Sequence, residues 1–268
     1  FLENEYMNIN FIGFGAMAKA IARGLTKEPH YRLNAAAPSL AVGVNQDGVS
    51  THYDNIELIH EAHIIILAVK PGRMEEVIDE IKAYIPSECL LISVAAGLSL
   101  DWFAKRWDSP HALVRTMPNT PASIGLSATP MVANQNVTQE QRHIAEAIFS
   151  TVGITHWVCD EAEMDAFTAL SGSGPAYILA FVEAMINAAT ALGLDAEIAK
   201  KFALQTAVGT LKLAENSNLS LSELRTQVTS RGGTTEAALK VLNRHLDDLI
   251  LTALSAAKAR SHELGQCL

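Results

Sequence analysis

The sequence predicts an α/β chain, a doubly wound parallel sheet in its first part and an all-helical second part. Two observations carry this reading. Short runs rich in Ile, Val and Leu recur through residues 7–160 with helix-like stretches between them, as expected of parallel strands buried on both faces. Beyond residue 160 the strand signals stop and only helical periodicity remains. The expected domains are therefore 7–160 and 161–268, an α/β unit followed by a helical one.

Taken in order, "NINFIGFG" (8–15) is short, apolar and ends in glycines, and reads as a strand. "AMAKAIARGL" (16–25) is Ala-rich with a helical period, and "YRLNAAA" (31–37) is a second strand candidate. "HIIILAVK" (63–70), "LLISVAAG" (90–97) and "HALVRTMP" (111–118) are further buried-strand runs, with helices expected over Arg73–Tyr84 and Leu100–Trp107. In the second part "YILAFVEAMINAATALGL", "AEIAKKFALQTAVGTLKLAEN", "SLSELRTQV" and "EAALKVLNRHLDDLILTALSAAKARSHEL" all carry helical periodicity. Several are apolar on more than one face, and such helices must be buried. Residues 161–268 are too short a stretch to bury them alone, so a second copy is expected to share the core as an intimate homodimer.

The totals bound the function. With 268 residues, 49% of them apolar, the chain can bury a sizeable core. Its net charge of −9, with no basic run, argues against a nucleic-acid partner. No uninterrupted apolar run approaches the ~20 residues of a membrane-spanning helix. The opening residues lack a signal peptide's basic and apolar regions. Met7 is the expected natural start. Cys89, Cys159 and Cys267 form no CxxC and suggest no disulfide framework, which fits a reducing, cytoplasmic setting. His60 and His63 stand three apart with no third ligand nearby, and no metal site is expected.

The first motif is Gly13-x-Gly15-x-x-Ala18, placed after a strand and opening a helix. Gly13 permits a tight turn, Gly15 lets backbone approach a pyrophosphate, and the small Ala18 allows close helix–strand packing. A dinucleotide site is expected there. A binder of NAD usually carries Asp or Glu at the end of the second strand, about 20 residues beyond the glycines. Here "NAAAPSLAVG" has no carboxylate before Asp47, which tilts the reading towards NADP, with Asn34 and Ser39 the nearby polar candidates. The strand ends Ala68–Pro71 and Ala95–Ser99 should line the same crevice, and Lys70 reads as lining it rather than as catalytic.

Two loops interrupt the helical part. "LSGSGPAY" places Pro175 at an expected first helical position. It is no G-x-S-x-G nucleophile elbow, and reads as a helix-initiating loop. "VTSRGGTTEAA" (228–238) puts paired glycines and hydroxyls ahead of a helical run, the arrangement of a second anion site.

With "FIGFGAMAKAIARGL", "ILAVKP", "SVAAGLS", "RTMPNTP", "ALSGSGPAY" and "VTSRGGTTEAA" in this order, the chain resembles the pyrroline-5-carboxylate reductases nearly end to end. The resemblance implies a Rossmann-type domain with dinucleotide contacts on Ile12, Gly13, Phe14, Gly15, Ala16 and Met17. It adds Asn55, then Ala68, Val69, Lys70 and Pro71, then Ala95, Ala96 and Gly97. It implies substrate contacts on Ser230, Gly232, Gly233, Thr234 and Thr235, with the Thr235 hydroxyl facing the substrate nitrogen as the catalytic contact. That loop is implied to reach the nicotinamide held by a neighbouring subunit, in a dimer or a larger assembly up to a pentamer of dimers. Three departures stand out: "PSLAVGVNQDGVSTHYDN" is short of a crossover helix, Ala37 replaces a common hydroxyl, and Arg231 replaces Pro or Lys. The first two bear on the choice of NADPH over NADH.

The implied substrate, 1-pyrroline-5-carboxylate, is a cyclic imine carrying a carboxylate. One glycine loop would hold the cofactor's pyrophosphate and the other the substrate's carboxylate. Hydride transfer to an electrophilic C=N needs no strong acid, so the absence of a His/Asp dyad fits. Two alternatives remain at this point. A β-hydroxyacid dehydrogenase would want a helix-borne Lys near the nicotinamide, and none follows "GSGPAY" before Lys200. A non-catalytic dinucleotide scaffold is disfavoured by the intact "MPNTP", "GSGPAY" and "GGTT" elements and favoured only by the shortened segment after the second strand.

Overall fold

Among the described residues, a sheet of nine strands organises the first part of the chain. The computed structural model describes residues 6–266; residues 1–5, and Cys267 with Leu268, lie outside the described residues. In chain order the first elements are β1 (Met7–Ile12), α1 (Ala16–Leu25), β2 (Tyr31–Ala36), β3 (Gly43–Val44), β4 (Ser50–His52), β5 (Ile64–Leu67) and α2 (Met74–Ile81). There follow β6 (Leu90–Ser93), α3 (Leu100–Ala104), β7 (Ala112–Thr116), β8 (Ser127–Ala133), α4 (Gln139–Ser150), β9 (Gly153–Trp157) and α5 (Met164–Phe167). The strands lie in the order β3-β4-β2-β1-β5-β6-β7-β8-β9.

Strands β4, β2, β1, β5, β6 and β7 run parallel. The chain leaves β1 towards β2 on one side and returns to β5 on the other, so the order reverses beside β1. A crevice beyond the carboxyl ends of strands at such a switch point is where open α/β sheets bind ligands. Strands β5 and β6 are buried along their whole length. One face packs Ile9, Phe11, Ile21 and Phe149, and the other packs Ile12, Leu67, Ile78, Trp102 and Phe103. Burial on both faces explains why these strands are continuous apolar runs.

The structure differs from the expected elements in three places. No crossover helix follows β2, as the short segment there implied; the unexpected elements are β3, antiparallel to β4, and β4, which pairs parallel with β2. β8 returns antiparallel to β7, and β9 pairs parallel with β8 after α4; β8 is mostly buried but broken by Ser127, Thr129 and Pro130, and β9 alternates half-buried and exposed residues, so neither carries the unbroken apolar signature. The helices expected to reach Tyr84 and Trp107 end at Ile81 and Ala104 and continue only as turns.

The later helices are α6 (Gly174–Ala191), α7 (Ala196–Glu215), α8 (Leu221–Gln227), α9 (Thr234–Leu242) and α10 (Leu246–Gln266). The chain divides into two compact units, one running to Ser173 and resuming at Ala257, the other comprising Gly174–Ala256. Within the second unit α6 packs on α7, around Val182, Ala199 and Ala203. Most of its large apolar residues stay exposed, Phe202 at 65% and Leu251 at 67% among them. The continuous helical stretch Glu161–Ala191 is long and apolar enough, by length and composition, to cross a membrane.

Candidate active site

Ile12, Gly13 and Phe14 are buried where β1 ends, and Gly13 turns the chain with φ +85°. Its N–H donates to Ala36 O at 2.8 Å. A Cβ on Gly13 would stand 2.8 Å from both Ala68 O and Val69 Cγ1, so only glycine allows β1 and the end of β5 to meet there. Gly15 is the N-cap of α1 and makes no side-chain cap, and no acid occupies the first turn. A Cβ on Gly15 would meet nothing within 4 Å. Gly15 and Ala16 are exposed and Met17 is half-buried. The first N–H groups of α1 are thus left to an external acceptor, at the positive end of the helix.

The neighbouring strand ends come to the same edge of the sheet. Ala68 N–H donates to Ile12 O at 2.8 Å; Ala68 and Val69 are half-buried, Lys70 is exposed, and Pro71 opens a short 3₁₀ turn. Ala95 is buried with its N–H on Ser93 Oγ, and Ala96 is exposed. Gly97 has φ +81°, and its carbonyl lies 2.8 Å from where a Cβ on Gly265 would be. Asn55 is buried, and its Nδ2 donates to Glu80 Oε2 at 2.8 Å. Its Oδ1 is buried without a partner, an orphaned acceptor of the kind a ligand hydroxyl satisfies. Ser39 is exposed in the turn where Leu40 N–H donates to Ala37 O.

Two polar residues of the second-strand segment are engaged within the fold. Asn34 Nδ2 donates to Asn10 Oδ1 at 2.8 Å inside the sheet, so it is not free for a ligand as the sequence suggested. Asp47 pairs with Arg23 at 3.3 Å. No acid therefore follows β2 in the position that accepts ribose hydroxyls. The unobstructed helix start, the glycine that a Cβ would block and the orphaned Asn55 Oδ1 all fit a dinucleotide.

The second glycine loop lies in the other unit. Gly232 adopts φ +73°, and Gly233 is the N-cap of α9 with no side-chain cap. A Cβ on Gly233 would stand 2.5 Å from Ser230 Oγ and 3.1 Å from Ser230 O, so a larger residue would require the Ser230 side chain to turn away. Gly233 N–H donates to Ser230 O at 3.0 Å, and Gly232 N–H donates to Glu236 Oε2 at 2.8 Å. The loop thus already holds a carboxylate, its own. Lys240 stands 3.6 Å from that carboxylate. Ser230 and Thr234 are exposed and Thr235 is half-buried.

Sequence reasoning missed the connection after β7. Asn119, in the "MPNTP" stretch, is buried. Its Oδ1 accepts from Ala128 N–H at 3.1 Å and its Nδ2 donates to Ser171 O at 2.9 Å. Residues Thr168–Gly172 form a π-helical turn, closed by Ser173 N–H on Thr168 O. "LSGSGPAY" is therefore not the helix-initiating loop expected, because the chain stays helical through it. Pro175 has no N–H to offer the carbonyl four residues back, and its ring crowds that carbonyl. The wider π turn relieves the crowding, and Asn119 supplies the missing donor. Arg115 and Glu161 add a largely buried pair at 2.6 Å, and Glu161 also accepts from Leu100 N–H at the start of α3.

A doubly wound sheet with a bare helix start at its switch point, and no acid after the second strand, defines an NAD(P)-dependent oxidoreductase. Residues 8–97 match the family model described as NADP oxidoreductase coenzyme F420-dependent. Residues 161–264 match the model described as pyrroline-5-carboxylate reductase dimerisation. The pyrroline-5-carboxylate reductase of Haemophilus influenzae is 39% identical over 97% of this chain and 98% of its own. The solved pyrroline-5-carboxylate reductase of Coxiella burnetii is 38% identical with a TM-score of 0.90, covering 97% of this chain and 99% of its own. The Plasmodium falciparum pyrroline carboxylate reductase, solved with NADP bound, is 32% identical at TM-score 0.86 over the same shares. The chain belongs to the pyrroline-5-carboxylate reductase family.

Proposed function

We propose that this protein reduces 1-pyrroline-5-carboxylate to L-proline with NADPH, the last step of proline biosynthesis, at a site completed by a second copy of the chain. Family membership over nearly the whole chain carries the reaction. Residues 7–160 serve the dinucleotide, and 161–268 serve the substrate and the oligomer. The bound cofactor supplies the hydride.

The chain's own residues position the reactants. Gly13, Gly15 and the first turn of α1 receive the pyrophosphate, beside Ile12, Phe14, Ala16 and Met17. Asn55 and Ser39 face the adenosine side. Ala68–Pro71 and Ala95–Gly97 line the rest of the crevice. NADPH is preferred because no acid follows β2 to accept ribose hydroxyls or repel a 2′-phosphate; Asp47 is held by Arg23. Gly232 and Gly233 cradle the substrate carboxylate, helped by Ser230 and Thr234, and the bond Gly232 gives to Glu236 is the observation that supports a carboxylate there. Thr235 hydrogen-bonds the ring nitrogen and assists its protonation as hydride reaches carbon. Holding two reactants face to face is worth up to ~7–11 kcal/mol.

The oligomer is a homodimer or a larger assembly built from dimers, decamers included. The apolar helix 161–191 falls within the stretch matched by the dimerisation model, so its exposed face meets another copy rather than a membrane. A cytoplasmic setting without nucleic acid follows from the same reading.

The test is loss of the reduced-nicotinamide absorbance with 1-pyrroline-5-carboxylate, run in parallel with NADPH and NADH. Oxidation only of small hydroxyacids, or dinucleotide binding without turnover, would contradict the proposal. Thr235→Ala should cut turnover roughly 10- to 1,000-fold, as for one positioned donor, and Thr235→Ser should retain far more. Full kcat and KM in the alanine variant would remove Thr235 from the mechanism.

A further inference from the structure

The end of β2 lacks the usual means of holding a 2′-phosphate. No helix starts there, since β3 and β4 take the place of a crossover helix. Ala36, Ala37 and Pro38 offer no donor side chain. The sheet register, however, brings another residue to this point. β4 pairs with β2 so that His52 is the partner of Ala36, and Ala37 N–H donates to His52 O at 3.1 Å. The two strands end side by side, with the Ser39 turn on one and His52 on the other.

The His52 ring is held in one orientation. Nδ1 faces the Asp54 backbone, 3.0 Å from its N–H and 3.3 Å from its carbonyl oxygen; in the tautomer that accepts from that N–H, Nε2 carries the proton. Tyr53 stacks on the ring, 4.6 Å between centroids and 22° between planes. The adjacent acid, Asp54, turns its Oδ1 to Ile56 N–H at 2.8 Å, where it caps the following 3₁₀ turn. Two arginines of the same unit are engaged elsewhere: Arg23 pairs with Asp47 and Arg73 with Glu76.

We propose that His52 is the residue that selects the phosphorylated dinucleotide, its Nε2–H donating to the 2′-phosphate on the adenosine ribose, with the Ser39 hydroxyl as second donor. This rests on the dinucleotide reading above and adds to it the source of the preference. The shortened segment after β2 is then a substitution of device: a histidine brought in by strand pairing replaces donors usually carried beyond β2. The charge of the phosphate makes this a charge-assisted bond, stronger than a neutral one.

The test is direct titration of the purified oligomer with NADP⁺ and with NAD⁺, followed by calorimetry and needing no turnover. The wild type should bind NADP⁺ more tightly. His52→Ala should weaken NADP⁺ roughly tenfold or more and leave NAD⁺ within about twofold. His52→Asp should reverse the preference, since a carboxylate accepts ribose hydroxyls and repels phosphate. Equal weakening of both dinucleotides, no change in either, or a wild type that prefers NAD⁺ would each overturn the assignment. Reduction of 1-pyrroline-5-carboxylate by the same preparations is read separately. Its absence alongside an intact His52-dependent preference would overturn the reaction and support this assignment.

Discussion

Glu236 is the residue whose position says most about the second glycine loop. Its carboxylate takes the Gly232 N–H at 2.8 Å, the same group assigned here to the substrate's carboxylate. A carboxylate three residues into a helix commonly reaches back to the start, so the segment "GGTTE" carried a signal for this bond that motif matching passed over. On that proposal, substrate binding would displace Glu236 or share the N–H with it, with the two negative charges opposed. Glu236→Gln should therefore lower the KM for 1-pyrroline-5-carboxylate about two- to fivefold, the scale of one charge at a helix end, 0.3–1 kcal/mol. The kcat should stay near wild type, since Glu236 does not touch the reacting atoms. Steady-state kinetics at saturating NADPH would read this, and a raised KM would show that Glu236 instead helps hold the loop in shape.

The π turn between α5 and α6 belongs to the scale of elements. Asn119 joins the β7–β8 connection to this turn through Ser171 O and Ala128 N–H. Asn119→Ala should destabilise the protein by about 1–3 kcal/mol, the cost of leaving buried backbone groups unpaired, seen as a lower denaturant midpoint. Pro175→Ala in that background should recover part of the loss, because residue 175 then regains an N–H. Strict additivity of the two changes would contradict the coupling. None of this was legible beforehand, since the bond spans residues 52 apart and no local pattern encodes it. By contrast β1, β5, β6 and β7 were readable because each is an apolar run buried on both faces. β8 contains Pro130 and two threonine or serine hydroxyls, and β9 alternates exposed and half-buried residues, so neither displayed that signature. The pairing that puts His52 beside Ala36 depends on strand register, which the sequence of β4 alone does not disclose.

At the scale of the whole molecule, the two glycine loops were legible as motifs, whereas the surfaces between chains were legible only as excess apolar helix. The exposure of Phe202 and Leu251 in one copy is what a shared core leaves behind when a single chain is considered. The central claim is that one chain's dinucleotide cradle works with another chain's carboxylate cradle. Complementation tests it most directly. A chain carrying Gly13→Leu, which cannot close the first turn, is co-expressed with a chain carrying Thr235→Ala. Gly13→Leu alone should be nearly inactive, and Thr235→Ala alone should keep at most about a tenth of wild-type turnover. If the site is shared, every mixed dimer keeps one intact pairing, and random mixing restores about a quarter of wild-type activity. Mixed oligomers that form but recover no activity would place both cradles of each site in a single chain.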